Sequence, residues 1–168
     1  MSLTLYRLGK QQYLGSPLLS EYGVGAALYG GRWNSPDPVS LRRRVIYASD
    51  TLAQATLEVV VHADSQVLRT AAHGYVRFHV DEAAVADLDL SGLPDTWNAL
   101  PGTPASQMIG DQWFDEQVSP VLRVPSVILP LDVYGPGQSN YLINPLHPDT
   151  ERTVRFGGVW PYRFDPRL

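Results

Sequence analysis

Apolar and polar positions alternate at the start of the chain. From Leu3 to Leu8 they predict a strand, with Leu3, Leu5 and Arg7 on one face and Thr4, Tyr6 and Leu8 on the other. A glycine-rich loop follows from Gly23 to Gly31 and leads into Arg32-Trp33-Asn34. Val45 to Ala48 is a short apolar strand. It runs into Ser49-Asp50, residue types that cap helices, and a helix is predicted from about Thr51 to Ala63. That helix, TLAQATLEVVVHA, is apolar on nearly every side, which predicts burial. Gly74 to Val80 alternates again, with Val76, Phe78 and Val80 on one face.

Asp89 to Pro104 is rich in Pro, Gly and Asn and predicts loop, followed by a helix from Ala105 to Val118. Val121 to Leu131 predicts a strand pair broken at Pro125, because proline cannot serve an interior ladder position. The tail after Asn144 carries several prolines and no clear element. Strands and helices mix without a βαβ rhythm, so the expected class is α+β, an irregular α/β arrangement, in one domain over residues 1–168.

Composition narrows the function. With 44% hydrophobic and 18% charged residues, the chain has the balance of a water-soluble globular protein. No stretch approaches the roughly 20 apolar residues of a membrane helix, and the N-terminus carries no secretion signal, so a cytoplasmic location without membrane contact is expected. The absence of cysteine removes disulfides, thiolate metal sites and a cysteine nucleophile. A net charge of −4 argues against direct nucleic-acid binding. One lysine stands against twelve arginines, so an anion site here is built from guanidinium forks.

Several chemistries find no motif. Gly23-Val24-Gly25 begins like a dinucleotide fingerprint but lacks its third small residue, and it does not directly follow a strand. There is no Walker loop, no H-E-x-x-H and no G-x-S-x-G. His62, His73, His79 and His147 lack metal-ligand spacing, so no metal site is expected.

Glu58 is the most informative residue, a lone carboxylate among Leu52, Ala53, Ala55, Leu57, Val59, Val60 and Val61. A buried, unpaired carboxylate costs several kcal/mol. Either an arginine (Arg7, Arg32 or Arg44) pairs with it structurally, or it faces a cleft where its charge is used. Arg32, after two glycines, fits a phosphate-binding fork and equally a solvated turn. Tyr47 lies just ahead of the Glu58 helix and can share its cleft. Ser126, in an apolar strand, requires a partner for its hydroxyl.

Taken in order, these segments resemble the RES domain, named for Arg, Glu and Ser. They are Gly30-Gly31-Arg32-Trp33-Asn34, Val45-Ile46-Tyr47-Ala48, the helix with Leu57-Glu58 ending at His62, and Ile109-Gly110-Asp111-Gln112-Trp113. Next come Leu122-Arg123-Val124-Pro125-Ser126-Val127 and Asn140-Tyr141-Leu142-Ile143-Asn144-Pro145. His147-Pro148-Asp149 and the closing Phe164-Asp165-Pro166-Arg167-Leu168 complete the series. One departure is Asp37 to Arg44, longer and richer in arginine than the usual link.

The resemblance implies a split sheet like that of ADP-ribosyltransferase toxins, and NAD as substrate with no further cofactor. It implies catalytic residues Arg32, Tyr47, Glu58 and Ser126, with Arg7, Arg32, Tyr47 and Asn140 binding NAD. The expected activity is NAD depletion by hydrolysis or phosphorolysis that arrests growth; ADP-ribosyl transfer to a protein is the family's alternative. It further implies a toxin paired with an Xre-like antitoxin that covers the active site, and a homodimer within that complex. Rival classes are a toxin ribonuclease, which the acidic balance disfavours, and a noncatalytic nucleotide-binding module.

Overall fold

The computed structural model describes residues 1–168. Seven strands form one mixed sheet in the order β4-β5-β6-β2-β1-β3-β7. They are β1 (Ser2–Lys10), β2 (Ile46–Ser49), β3 (His73–Asp81), β4 (Val85–Asp87), β5 (Val121–Val124), β6 (Asn140–Ile143) and β7 (Val154–Tyr162). The helices are α1 (Val24–Tyr29), α2 (Leu52–Val60), α3 (Ser65–Thr70), α4 (Pro104–Asp115) and α5 (Thr150–Thr153). Only β4 and β5 run parallel. The α+β class expected from the element order is the one observed, and no helix is long and apolar enough to cross a membrane.

Alternation along the strands loads the sheet on both faces. One face carries Leu5, Ile46, Phe78, Val121, Tyr141 and Ile143, closed over by Leu14, Leu19 and Tyr22 of the segment after β1. The other face carries two separate clusters. Leu8, Ala55, Leu68 and Phe164 pack beneath α2, α3 and the C-terminus. Trp33, Trp97, Trp113, Phe114, Leu122 and Leu142 pack beneath α4 and the loop before it. The seam between these clusters is where the sheet opens, because β1 and β2 pair at a single position, Tyr6 with Ser49.

Several expectations need correction. The α2 N-cap is Thr51, whose side chain accepts from the Gln54 amide, while Ser49 and Asp50 are used elsewhere. Nor is the segment predicted as a helix buried all round: Leu57 in α2 is 44% and Val61, just past its end, 57% exposed. The predicted strand after Pro125 does not form. Proline supplies no ladder donor, and the Ser126 hydroxyl takes the Ile128 N–H, turning the chain out of the sheet.

The tail, for which no element was expected, forms α5 and β7. Its two glycines allow a bulge opposite Arg77/Phe78, which switches Trp160 and Tyr162 to the face opposite Phe156. Pro161 is tolerated because β7 is an edge strand. Within Gly23–Gly31 lies the short helix α1, and α3 and β4 also lay outside the expected set. The arginine-rich link is stapled down. Asp37 accepts from Ser40, Arg42 and Arg43, while Arg43 pairs with Asp111 and Asp115.

Gly110 in α4 lies against the backbone of Trp33, and a Cβ there would overlap the Trp33 carbonyl. Backbone on both sides leaves nothing to move aside. Gly110→Ala is expected to destabilise by about 3 kcal/mol or more, roughly 10 °C in melting temperature, as read by thermal denaturation.

Candidate active site

The seam holds a cavity of about 170 Å³ lined by Tyr6, Arg7, Tyr47, Ser49, Glu58 and Asn140, among others. Three elements bring the central groups together. Glu58 comes from α2, Asn140 opens β6, and Ser126 follows the end of β5. The Ser126 hydroxyl donates to Glu58 Oε1 at 2.6 Å, and the Asn140 amide donates to the same oxygen at 2.5 Å. No arginine forms an ion pair with Glu58. The structural ion pair is not formed, and Glu58 lines the cavity. Neutral donors hold one oxygen, and Oε2 makes no hydrogen bond within the protein.

The arginines are arranged differently from one another. Arg44 bonds the carbonyls of Leu41 and Ser20 and takes no part in the cleft. Arg7 crosses the opening between β1 and β2 to donate to the Tyr47 carbonyl at 2.9 Å. Its Nε is buried without a partner, and desolvation lowers its pKa. A buried guanidinium with spare donors and no carboxylate in contact leaves an uncompensated positive charge at the cavity wall.

Arg32 lies outside the cavity lining but close enough for Glu58 to raise its pKa against a larger lowering by desolvation. One terminal nitrogen donates to the carbonyls of Trp97 and Ala99 at 2.8 and 2.7 Å. That nitrogen fastens the loop before α4, where Trp97 stacks on Trp33. Its Nε and second terminal nitrogen make no hydrogen bond.

The Tyr47 hydroxyl is committed structurally. It donates to Asn34 Oδ1 at 2.6 Å and accepts from the Trp33 amide at 3.1 Å, and burial pushes its pKa up. A Cβ at Gly31 would lie 2.5 Å from this oxygen, so the glycine is what lets the turn seat on it. Tyr47 also lines the cavity, with its hydroxyl already engaged by Asn34 and Trp33.

Two residues absent from the expected site belong to it. Ser49 Oγ and Gln54 Nε2 donate to Asn140 Oδ1 at 2.8 and 3.0 Å. Gln54 stands one turn before Glu58 on α2, so its i, i+4 spacing on an apolar helix was the available signal. Ser49 carried none, its residue type there indicating a helix cap. Other motifs of the resemblance are structural. Asp111 anchors Ser35, and Asn144 and His147 accept from nearby amides to shape the turn after β6.

Fold and site together define an α+β architecture whose seven-stranded sheet opens between β1 and β2, with a carboxylate free of any ion pair at the opening. The RES domain matches residues 4–165, and the chain belongs to the RES-domain family. A protein of Photorhabdus laumondii named Toxin Res is 31% identical over 99% of this chain and 97% of its own length. A Sphingobium protein named Prs ADP-ribosylating toxin is 34% identical over 87% of this chain and 84% of its own. Among solved structures, the Mycobacterium tuberculosis MbcT–MbcA toxin–antitoxin complex contains a chain similar in fold. Its TM-score is 0.68 at 20% identity, over 97% of this chain and 85% of that one.

Tyr47→Phe keeps the ring but strands the Asn34 carbonyl oxygen and the Trp33 amide. The expected cost is about 1–3 kcal/mol in urea unfolding, with ligand affinity reduced far less than by loss of the ring in Tyr47→Ala.

Proposed function

We propose that this chain is a growth-arresting toxin that binds NAD in the seam and breaks its nicotinamide–ribose bond. The observation that carries this reading is the Glu58 carboxylate: it has no pairing cation, one oxygen fixed by Ser126 and Asn140, and the other unbonded at the cavity.

Breaking that bond leaves the electron pair on the nicotinamide nitrogen, which departs neutral, and develops positive charge at the ribose carbon and ring oxygen. A carboxylate oxygen beside the ribose stabilises that charge and accepts a hydrogen bond from a ribose hydroxyl. Water or another nucleophile then adds to the ribose carbon and gives up its proton. The cavity, about 170 Å³, is below the roughly 300 Å³ at which ligand pockets begin, so it takes only the reacting end. The rest of the dinucleotide lies outside, where the free edge of the Arg32 guanidinium receives the pyrophosphate. Arg7 supplies positive charge at the wall, and the Tyr47 ring packs on the nicotinamide.

Transfer of ADP-ribose to a protein shares every step up to the nucleophile. The relative named for ADP-ribosylating Prs supports that second reading. As a toxin the chain takes a cognate antitoxin of Xre-like type, which covers the seam.

Incubation of the pure protein with NAD is expected to release nicotinamide. Glu58→Gln, which keeps the shape, is expected to fold yet lose on the order of 10² in turnover and to lose toxicity; a folded variant with wild-type turnover contradicts the reading. Arg32→Lys keeps the charge but loses the fork. Its NAD affinity by calorimetry is expected to fall at least about tenfold. Unchanged affinity would limit Arg32 to holding the Trp97–Ala99 loop. A modified protein in cells with normal NAD would favour transfer over depletion.

A further inference from the structure

We propose that Gln54, acting with Ser49, is a positioning residue: it sets which way the Asn140 amide faces and thereby holds Glu58 with its free oxygen toward the cleft. This rests on the reading of Glu58 as the reacting carboxylate.

The argument is a count of donors and acceptors. A carboxylate only accepts, so the Asn140 group facing Glu58 Oε1 at 2.5 Å must be its NH₂. Turned over, the amide would set its oxygen against the carboxylate, and the bond would become a repulsion. The other end of the amide decides the matter. Asn140 Oδ1 receives two donors, Ser49 Oγ and Gln54 Nε2. Both residues are buried, 3% and 6% exposed, so water does not readily replace them.

The placement follows from the fold. Ser49 is the cross-strand partner of Asn140, with both side chains on one face of the sheet. Gln54 and Glu58 are four residues apart on α2, so one helix presents a donor and an acceptor to the two ends of a single amide. The hydrogen bonds thus run one way, from Ser49 and Gln54 through Asn140 to Glu58. A second series arrives from the Ile128 amide through Ser126. Gln54 is not among the residues that line the cleft, and its side chain makes no hydrogen bond to Glu58. Its effect passes through Asn140.

Gln54→Glu is nearly isosteric but presents acceptors only, which reverses the amide. Gln54→Met keeps the length and removes polarity, leaving Ser49 as the remaining donor. In NAD cleavage, Gln54→Glu is expected to lose at least about 30-fold in kcat with KM within about threefold, and Gln54→Met less than about fivefold. Equal effects of the two, or wild-type kcat in Gln54→Glu, overturns the proposal, as does a change confined to KM.

If Gln54→Glu fails to fold, Ser49→Ala and Gln54→Met are combined. The double variant is expected to lose more than the product of the single losses, and simple multiplication counts against the proposal. A substrate-free readout is the Asn140 side-chain amide resonance, expected to move in Gln54→Glu and to stay in place in Gln54→Met; no movement overturns the assignment. Glu58→Gln run in parallel separates the two failures. If it turns over normally, the reading of the site is wrong. If it is inactive while Gln54→Glu is normal, only the positioning role fails.

Discussion

One carboxylate oxygen accepting two neutral hydrogen bonds is the interaction on which the rest of this structure depends. An arginine in place of Ser126 and Asn140 would neutralise Glu58 and tie both of its oxygens into a bidentate pair. Neutral donors instead satisfy one oxygen and leave the negative charge in place. That choice demands a precise meeting of three elements distant in sequence: α2, the end of β5 and the start of β6. The sheet order supplies it, because β5, β6 and β2 are adjacent and α2 follows β2 directly.

The seam itself is a product of packing. Two apolar clusters on one face of the sheet pull their covering elements apart, α2 and α3 to one side, α4 with its preceding loop to the other. β1 and β2 separate after Tyr6 and Ser49, and Arg7 spans the opening. The wall on the tryptophan side is stiffened by contacts that look catalytic in sequence but are partly structural. The Tyr47 hydroxyl seats the Gly31–Asn34 turn, and half of the Arg32 guanidinium holds the Trp97–Ala99 loop. Tyr47 holds this turn and also lines the cavity, while the other half of the Arg32 guanidinium makes no hydrogen bond, so substitutions at either will disturb the fold as well.

Much of this was legible in the chain. β1 and β3 follow from alternation, α2 from capping residue types and an apolar run, and α4 from its place after a loop rich in Pro, Gly and Asn. Glu58 stood out because a carboxylate on an apolar helix needs an explanation. What stayed hidden depends on distant partners. β7 was masked by Gly157, Gly158 and Pro161, residues that argue against a strand unless it is an edge with a bulge. β6 was visible only as a motif, being four residues long. The role of the Tyr47 hydroxyl depends on a turn more than ten residues away, and those of Ser49 and Gln54 on Asn140, which lies more than eighty residues on. No local pattern reports such pairings.

The most direct measurement of the central claim is a crystal structure of Glu58→Gln soaked with NAD, a variant expected to keep binding and lose turnover. The account predicts the nicotinamide ring against Tyr47 and the ribose within hydrogen-bond distance of the side chain at position 58, on the side away from Ser126 and Asn140. It predicts the pyrophosphate at the free edge of Arg32. NAD seated away from the seam, or with its adenine end at position 58, would contradict it.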